Sequence, residues 1–156
     1  MDRVLLTPEG SKDLWQELRR LKKESRPRII EAIAEARAHG DLSENAEYQY
    51  AKEQQSLIEG KILELESTIA QAEIIDVTKL SGNEIKFGAT VKIRADDSED
   101  ISTYQIVGEF ESDIEKNKLS INSPLARGLI GKSKNDTVEI NSPKGIKSYT
   151  IISFKF

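Results

Sequence analysis

The 156-residue chain changes its hydrophobic period about halfway along. In the first half, apolar positions recur every three or four residues. Leu14, Leu18 and Leu21 lead, and after Pro27 the stripe resumes with Ile29, Ile30 and Ile33. Ile58, Ile62, Leu65, Ile69 and Ala72 then follow at alternating spacings of four and three, the pattern of a coiled-coil seam, and Ala51 and Gln55 extend it backwards. Thr7-Pro8-Glu9 is a helix start, with a hydroxyl at the cap, proline at the first position and an acid in the first turn. Gly40 stops the first arm. Two helices with one narrow apolar stripe each, joined by a short turn, predict an antiparallel hairpin. Such a rod is roughly 40 Å long. Pro27 is expected to bend the first arm or to cost it a hydrogen bond.

Beyond residue 75 the period falls to two. Phe87, Ala89, Val91 and Ile93 alternate, as do Tyr104, Ile106 and Gly108; Leu119 and Ile121; Val138 and Ile140; and Tyr149, Ile151 and Ser153. Clusters of Gly, Asn, Asp and Pro separate these runs. One helical signal interrupts them: Ser123 as cap and Pro124 as first position, ahead of Leu125-Ala126-Arg127-Gly128-Leu129. The expected fold class is α+β: a helical hairpin over residues 1–75, then a small antiparallel sheet with one short helix over 76–156.

Charge sharpens the division. Residues 1–75 carry 11 Lys/Arg and 15 Asp/Glu, whereas 76–156 carry 12 of each, so the whole net charge of −4 sits in the first half. A free-standing nucleic-acid binder is usually basic, so any nucleic-acid contact here needs a partner or a local patch. Residues 17–28 hold six bases and two acids. That run reads either as a solvated helix surface or as a patch for RNA phosphates. Arg37 and Lys52, near the turn on opposite arms, are the preferred RNA contacts. The chain has no cysteine, which removes disulfides, thiolate metal sites and a cysteine nucleophile, and suits a reducing cytoplasm. No stretch approaches the roughly 18 apolar residues of a membrane span.

The turn reads His39-Gly40-Asp41-Leu42-Ser43-Glu44-Asn45-Ala46-Glu47-Tyr48. Asp41 and Glu44 support two readings. At a spacing of three they resemble a capping box, and acids suit a helix N-terminus. Two carboxylates at the end of a rod are also oxygen ligands for a hard ion such as Mg²⁺, held only jointly with a partner's aspartates and a phosphate. His39, the only histidine, has no visible partner to tune it as a base. Asp96-Asp97-Ser98-Glu99-Asp100 fails the EF-hand pattern, because Ile101 replaces the glycine at the sixth position and Val107 the glutamate at the twelfth. It reads as an exposed hairpin loop.

Three segments carry a resemblance. Ala36 to Tyr48 resembles the hairpin-tip signature of the Gre family of bacterial transcript-cleavage factors. Asn122 to Lys132 is similar to that family's second signature, and Ile74-Ile75-Asp76-Val77 to the end of its hairpin. The resemblance spans essentially the whole chain. It implies an FKBP-like second half that docks at the rim of the secondary channel of bacterial RNA polymerase, with Asn122, Ser123 and Pro124 in the contact. The hairpin would enter the channel, and Asp41 and Glu44 would help hold Mg²⁺ and the attacking water near the nascent RNA 3′ end. Leu42, Ser43, Asn45 and Tyr48 would support the tip. The chain would then be no enzyme itself but a donor of carboxylates to the polymerase, acting as a monomer.

Three other classes are weighed beside it. Relatives that enter the channel without cleavage have a different, often more acidic tip. An FKBP-like prolyl isomerase needs an aromatic-lined pocket, and most aromatics of the second half alternate as core positions. A coiled-coil adaptor would dimerise through its seam.

Overall fold

A computed structural model of the protein describes residues 4–40 and 45–156. It divides into two compact units, Ser11–Ala72 and the discontinuous pair Met1–Gly10 with Glu73–Phe156. The expected division after residue 75 differs chiefly at the N-terminus, whose first ten residues group with the later unit.

The helical unit is built from α1 (Pro8–Arg20), a π-helical turn (Leu21–Ser25), α2 (Arg26–Arg37) and α3 (Ala46–Gln71). Pro27 explains the π turn. It has no N–H to offer Lys23, and its ring crowds that carbonyl. The chain widens ahead of it, and the Arg26 N–H bonds to the Leu21 carbonyl five residues back. The turn absorbs one extra residue, so the apolar stripe slips by one position. Leu18 and Leu21 are buried before it, and Ile33 and Ala36 after it. Ile30, expected in the stripe, is left exposed at 52%.

The arms run antiparallel. Lys22 pairs with Glu66, and four residues further on Arg26 grips Glu59 with two bonds of 2.8 and 2.9 Å, so one index rises as the other falls. Leu18, Leu21 and Ile62 form the buried seam, flanked by Ile58, Leu65 and Ile69. Thr68 is buried too, its hydroxyl donating to the Glu64 carbonyl at 2.9 Å. This core is one side chain deep, and Trp15, Leu57 and Leu63 lie outside it.

In the other unit, β1 (Val4–Leu6) and β2 (Ala72–Ile74) make a two-stranded sheet, extended by the Ile75 N–H on the Leu6 carbonyl at 2.9 Å. The main sheet comprises β3 (Thr90–Ala95), β4 (Ile101–Val107), β5 (Lys118–Ser120), β6 (Thr137–Ser142) and β7 (Gly145–Lys155), in the order β5-β4-β3-β7-β6. Contrary to the all-antiparallel expectation, β4 and β5 pair in parallel. Their connection makes two 3₁₀ turns, Glu109–Glu111 and Ile114–Lys116, and re-enters the sheet through Asn117 in the left-handed region. Side-chain alternation carries no record of strand direction.

The core joins Ile85, Ala89, Val91, Ile93, Ile106, Leu119 and Ile151 of the sheet unit to Ala126 and Leu129 of α4 (Pro124–Leu129). Gly128 lets α4 approach β6, since a Cβ there would lie 2.7 Å from Ile140 and 2.8 Å from Val138. Along β7 the expected phase of Tyr149, Ile151 and Ser153 breaks. Ile93 pairs with Ile151 but Lys92 with Ser153, so Ile152 is a bulge. The extra residue turns Ser153 outward and brings Phe154 against the core.

Asp96, in the loop set aside as a calcium site, accepts bonds from Ser148 (2.6 Å) and Thr150 (2.7 Å) of β7. These two hydroxyls hold its carboxyl below the usual aspartate range. With the folded value depressed, its contribution is fully present above the unfolded value of about 3.9 and is lost as pH falls through the folded one.

Two predictions follow from this packing. Ile62→Ala will cost the hairpin about 2–5 kcal/mol in denaturant unfolding, whereas Leu63→Ala, at a position 70% exposed, will stay within about 0.5 kcal/mol. The melting-temperature gap between wild type and Asp96→Ala will be widest at neutral pH and will narrow in acid; a gap constant with pH would mean that the carboxylate charge contributes nothing.

Candidate functional site

The closed end of the hairpin is organised by Asn45. Its backbone is extended (φ −83°, ψ 101°), and its side-chain oxygen accepts the Tyr48 N–H at 3.1 Å, which makes it the N-cap of α3. Its side-chain nitrogen donates to the Ala36 carbonyl in the last turn of α2 at 2.7 Å. One amide therefore caps the second arm and ties it to the first. The cap that the capping-box reading assigned to Asp41 is filled by Asn45. Gly40, at φ +126°, takes a backbone conformation that side-chain-bearing residues rarely adopt.

Around this cap the arms exchange further contacts. The Arg37 guanidinium sits over the Tyr48 ring, 5.8 Å from its centre, a cation–π geometry. Lys52 lies one helical turn beyond Tyr48 on the same strip of α3, and its ammonium donates to Gln55 at 3.4 Å. Arg37 thus contacts the ring, while Lys52 bonds along its own arm. Tyr50, two positions from Tyr48, projects elsewhere and is 64% exposed. His39 does have a neighbour: Nδ1 stands 3.7 Å from a Glu47 oxygen, both side chains exposed. The two flank the turn, so a linear reading could not pair them. Asp41, Leu42, Ser43 and Glu44 lie outside the described residues.

Of the basic run at 17–28, three members are neutralised locally. Arg20 pairs with Glu17, Lys22 with Glu66 and Arg26 with Glu59. Two of the six bases therefore tie the arms together, and a third pairs within its own helix.

The residues expected to dock lie in the sheet unit. Ser123 caps α4: its oxygen accepts the Ala126 N–H at 3.3 Å, and its hydroxyl donates to the Ser120 carbonyl at 2.7 Å. Asn122 donates through its amide to Glu109 at 3.3 Å, joining this corner to the β4–β5 connection. Pro124 is exposed in the first turn of α4. Tyr104 and Tyr149 line a cleft of about 390 Å³ with Ile93 and Leu125, together with Asp97, Asp100 and Lys147. The isomerase reading expected few aromatics free for such a pocket, and these two half-buried rings are the ones it has.

Two family models cover nearly the whole chain. Residues 4–74 match the N-terminal domain of the GreA/GreB transcription elongation factors, and residues 80–156 match the GreA/GreB C-terminal domain. This chain belongs to the GreA/GreB family. It is 58% identical over 156 residues to the transcription elongation factor GreA of Brucella canis and equally to that of Brucella suis, covering 100% of this chain and 99% of each relative. It also aligns with the crystal structure of GreA factor homolog 1 from Thermus thermophilus, at 25% identity and a TM-score of 0.45, over 99% of this chain and 100% of that one. The helical unit and the sheet unit are the two parts that the GreA/GreB resemblance implies.

Asn45→Ala removes both the cap and the cross-arm bond. It will destabilise the hairpin by about 1–2 kcal/mol in denaturant unfolding, and Asn45→Asp, which keeps the cap acceptor but loses the donor to Ala36, will fall between the two. Equal losses in both variants would show that the cross-arm bond carries the whole effect.

Proposed function

We propose that this elongation factor stimulates RNA polymerase to cleave nascent RNA in backtracked, arrested complexes, with Asp41 and Glu44 as the carboxylates it lends. The carrying observation is full-length identity to GreA factors together with an Asp41-x-x-Glu44 pair in the connection between the arms. Asn45, not an acid of the pair, is the N-cap of α3.

Carboxylate oxygens are the ligands a hard ion takes, and one or two alone hold Mg²⁺ weakly. The donor set fits an ion shared with the polymerase's own active centre. With Asp41 and Glu44 among its holders, Mg²⁺ would supply activation of the attacking water or stabilisation of the leaving oxygen. Asp41 and Glu44 would contribute negative charge that helps hold the ion and the attacking water. Arg37, pinned over Tyr48, and Lys52 face the RNA phosphates. Asn122, Ser123 and Pro124 dock the sheet unit at the rim of the secondary channel. The factor works as a monomer in the cytoplasm, its seam being filled by its own second arm.

The test is cleavage of labelled RNA in a stalled, backtracked polymerase complex with Mg²⁺. Wild type will stimulate cleavage, and Asp41→Asn/Glu44→Gln will lose on the order of a hundredfold while still competing for the channel. A wild type that competes without stimulating cleavage would move the protein to the non-cleaving regulators.

A further inference from the structure

A capping box needs two reciprocal bonds. The N-cap hydroxyl accepts the N3 N–H, and an N3 glutamate or glutamine reaches back to the N-cap N–H. At the start of α1 the first bond is present: Thr7 Oγ1 accepts the Gly10 N–H at 3.0 Å. The second has no local donor of a carboxylate, because N3 is Gly10. Its place is filled from 104 residues away. Glu111, in the first 3₁₀ turn of the β4–β5 connection, accepts the Thr7 N–H at 2.8 Å on one oxygen and the Thr7 hydroxyl on the other.

The glycine makes this possible. A Cβ at Gly10 would fall 1.9 Å from the Glu111 carboxyl carbon, in the space that the intruding side chain occupies. A second glycine admits the backbone: at Gly108, three residues before Glu111, a Cβ would lie 1.8 Å from the Leu5 carbonyl oxygen. Thr7 itself is 5% exposed, so its N–H and hydroxyl have little water to turn to. An unmet donor at that depth is costly.

We propose that Glu111 is a positioning residue that completes in trans the capping box of α1, and that Gly10 and Gly108 are the clearances which let it do so. The carboxylate both satisfies the buried Thr7 donors and places negative charge at the positive end of the helix. It also clasps β1 and the first turn of α1 against the β4–β5 connection, all within the sheet unit.

The test is amide hydrogen exchange on the free protein, resolved at Thr7 and Gly10, for wild type, Glu111→Gln, Glu111→Ala and the relocated pair Gly10→Glu/Glu111→Ala. It needs no polymerase and so stands apart from the cleavage reading. Exchange at both amides is expected to accelerate about fivefold or more in Glu111→Ala. Glu111→Gln, whose amide oxygen still accepts, will retain most of the protection. In the relocated pair, the carboxylate returns from position 10 itself, and Thr7 protection will recover. Wild-type exchange at Thr7 in Glu111→Ala would overturn the proposal. So would a relocated pair that folds, by its circular dichroism, yet leaves Thr7 as fast as Glu111→Ala.

Discussion

A two-helix hairpin whose seam is one side chain deep has little apolar area to hold its arms together, so its polar cross-links matter more than usual. Asn45 supplies one of these at the end of the arms. Its amide divides between the first N–H groups of α3 and the last carbonyls of α2, the two sets of groups that helix ends leave unsatisfied. Without it, the Tyr48 N–H would lose its side-chain acceptor and the arms would lose one of their ties at this end. The pairs Lys22–Glu66 and Arg26–Glu59 continue the same work further down the arms. As exposed ion pairs they contribute modestly to stability, but they fix which residues face one another.

The family's two signatures therefore play different physical parts. At Ala36–Tyr48, Asn45 bonds to Ala36 and Tyr48, and Arg37 sits over the Tyr48 ring. At Asn122–Lys132, Ser123 and Pro124 begin a helix of six residues whose inner face, Ala126 and Leu129, belongs to the core. Just ahead of that helix, Asn122 bonds to Glu109 of the β4–β5 connection.

Much of this was legible in the sequence. The heptad spacing gave α3 and its partner, and Thr7 and Ser123 marked two helix starts. What escaped depended on counts that shift by one or on contacts between distant residues. The π turn adds a residue to the first arm, which buries Ala36 along with the expected Ile33 and leaves Ile30, also expected, outside. The bulge at Ile152 does the same to β7. The parallel pairing of β5, the partnership of β1 with β2, and the neighbour of His39 all join residues that no periodicity links. Asn45, expected only to support the tip, had a legible capping role: an Asn directly before a run of good helix formers is a cap signal, and it competed with the more conspicuous Asp41 three places from Glu44.

The discontinuity of the sheet unit bears on how the chain acquires its fold. Closing a sheet across an unstructured loop as long as Ser11–Ala72 would carry the entropy of that loop. A hairpin can zip from its short-range end, where Asn45 bonds to Ala36 nine residues away, and so forms quickly by comparison. Once its arms have zipped, the ends of that segment are already close, and β1 meets β2 across a short gap in place of a long one. The helical unit thus acts as a folding staple for the domain that encloses it in sequence, and a weakened seam would slow the sheet unit's assembly even though no residue of the sheet had changed.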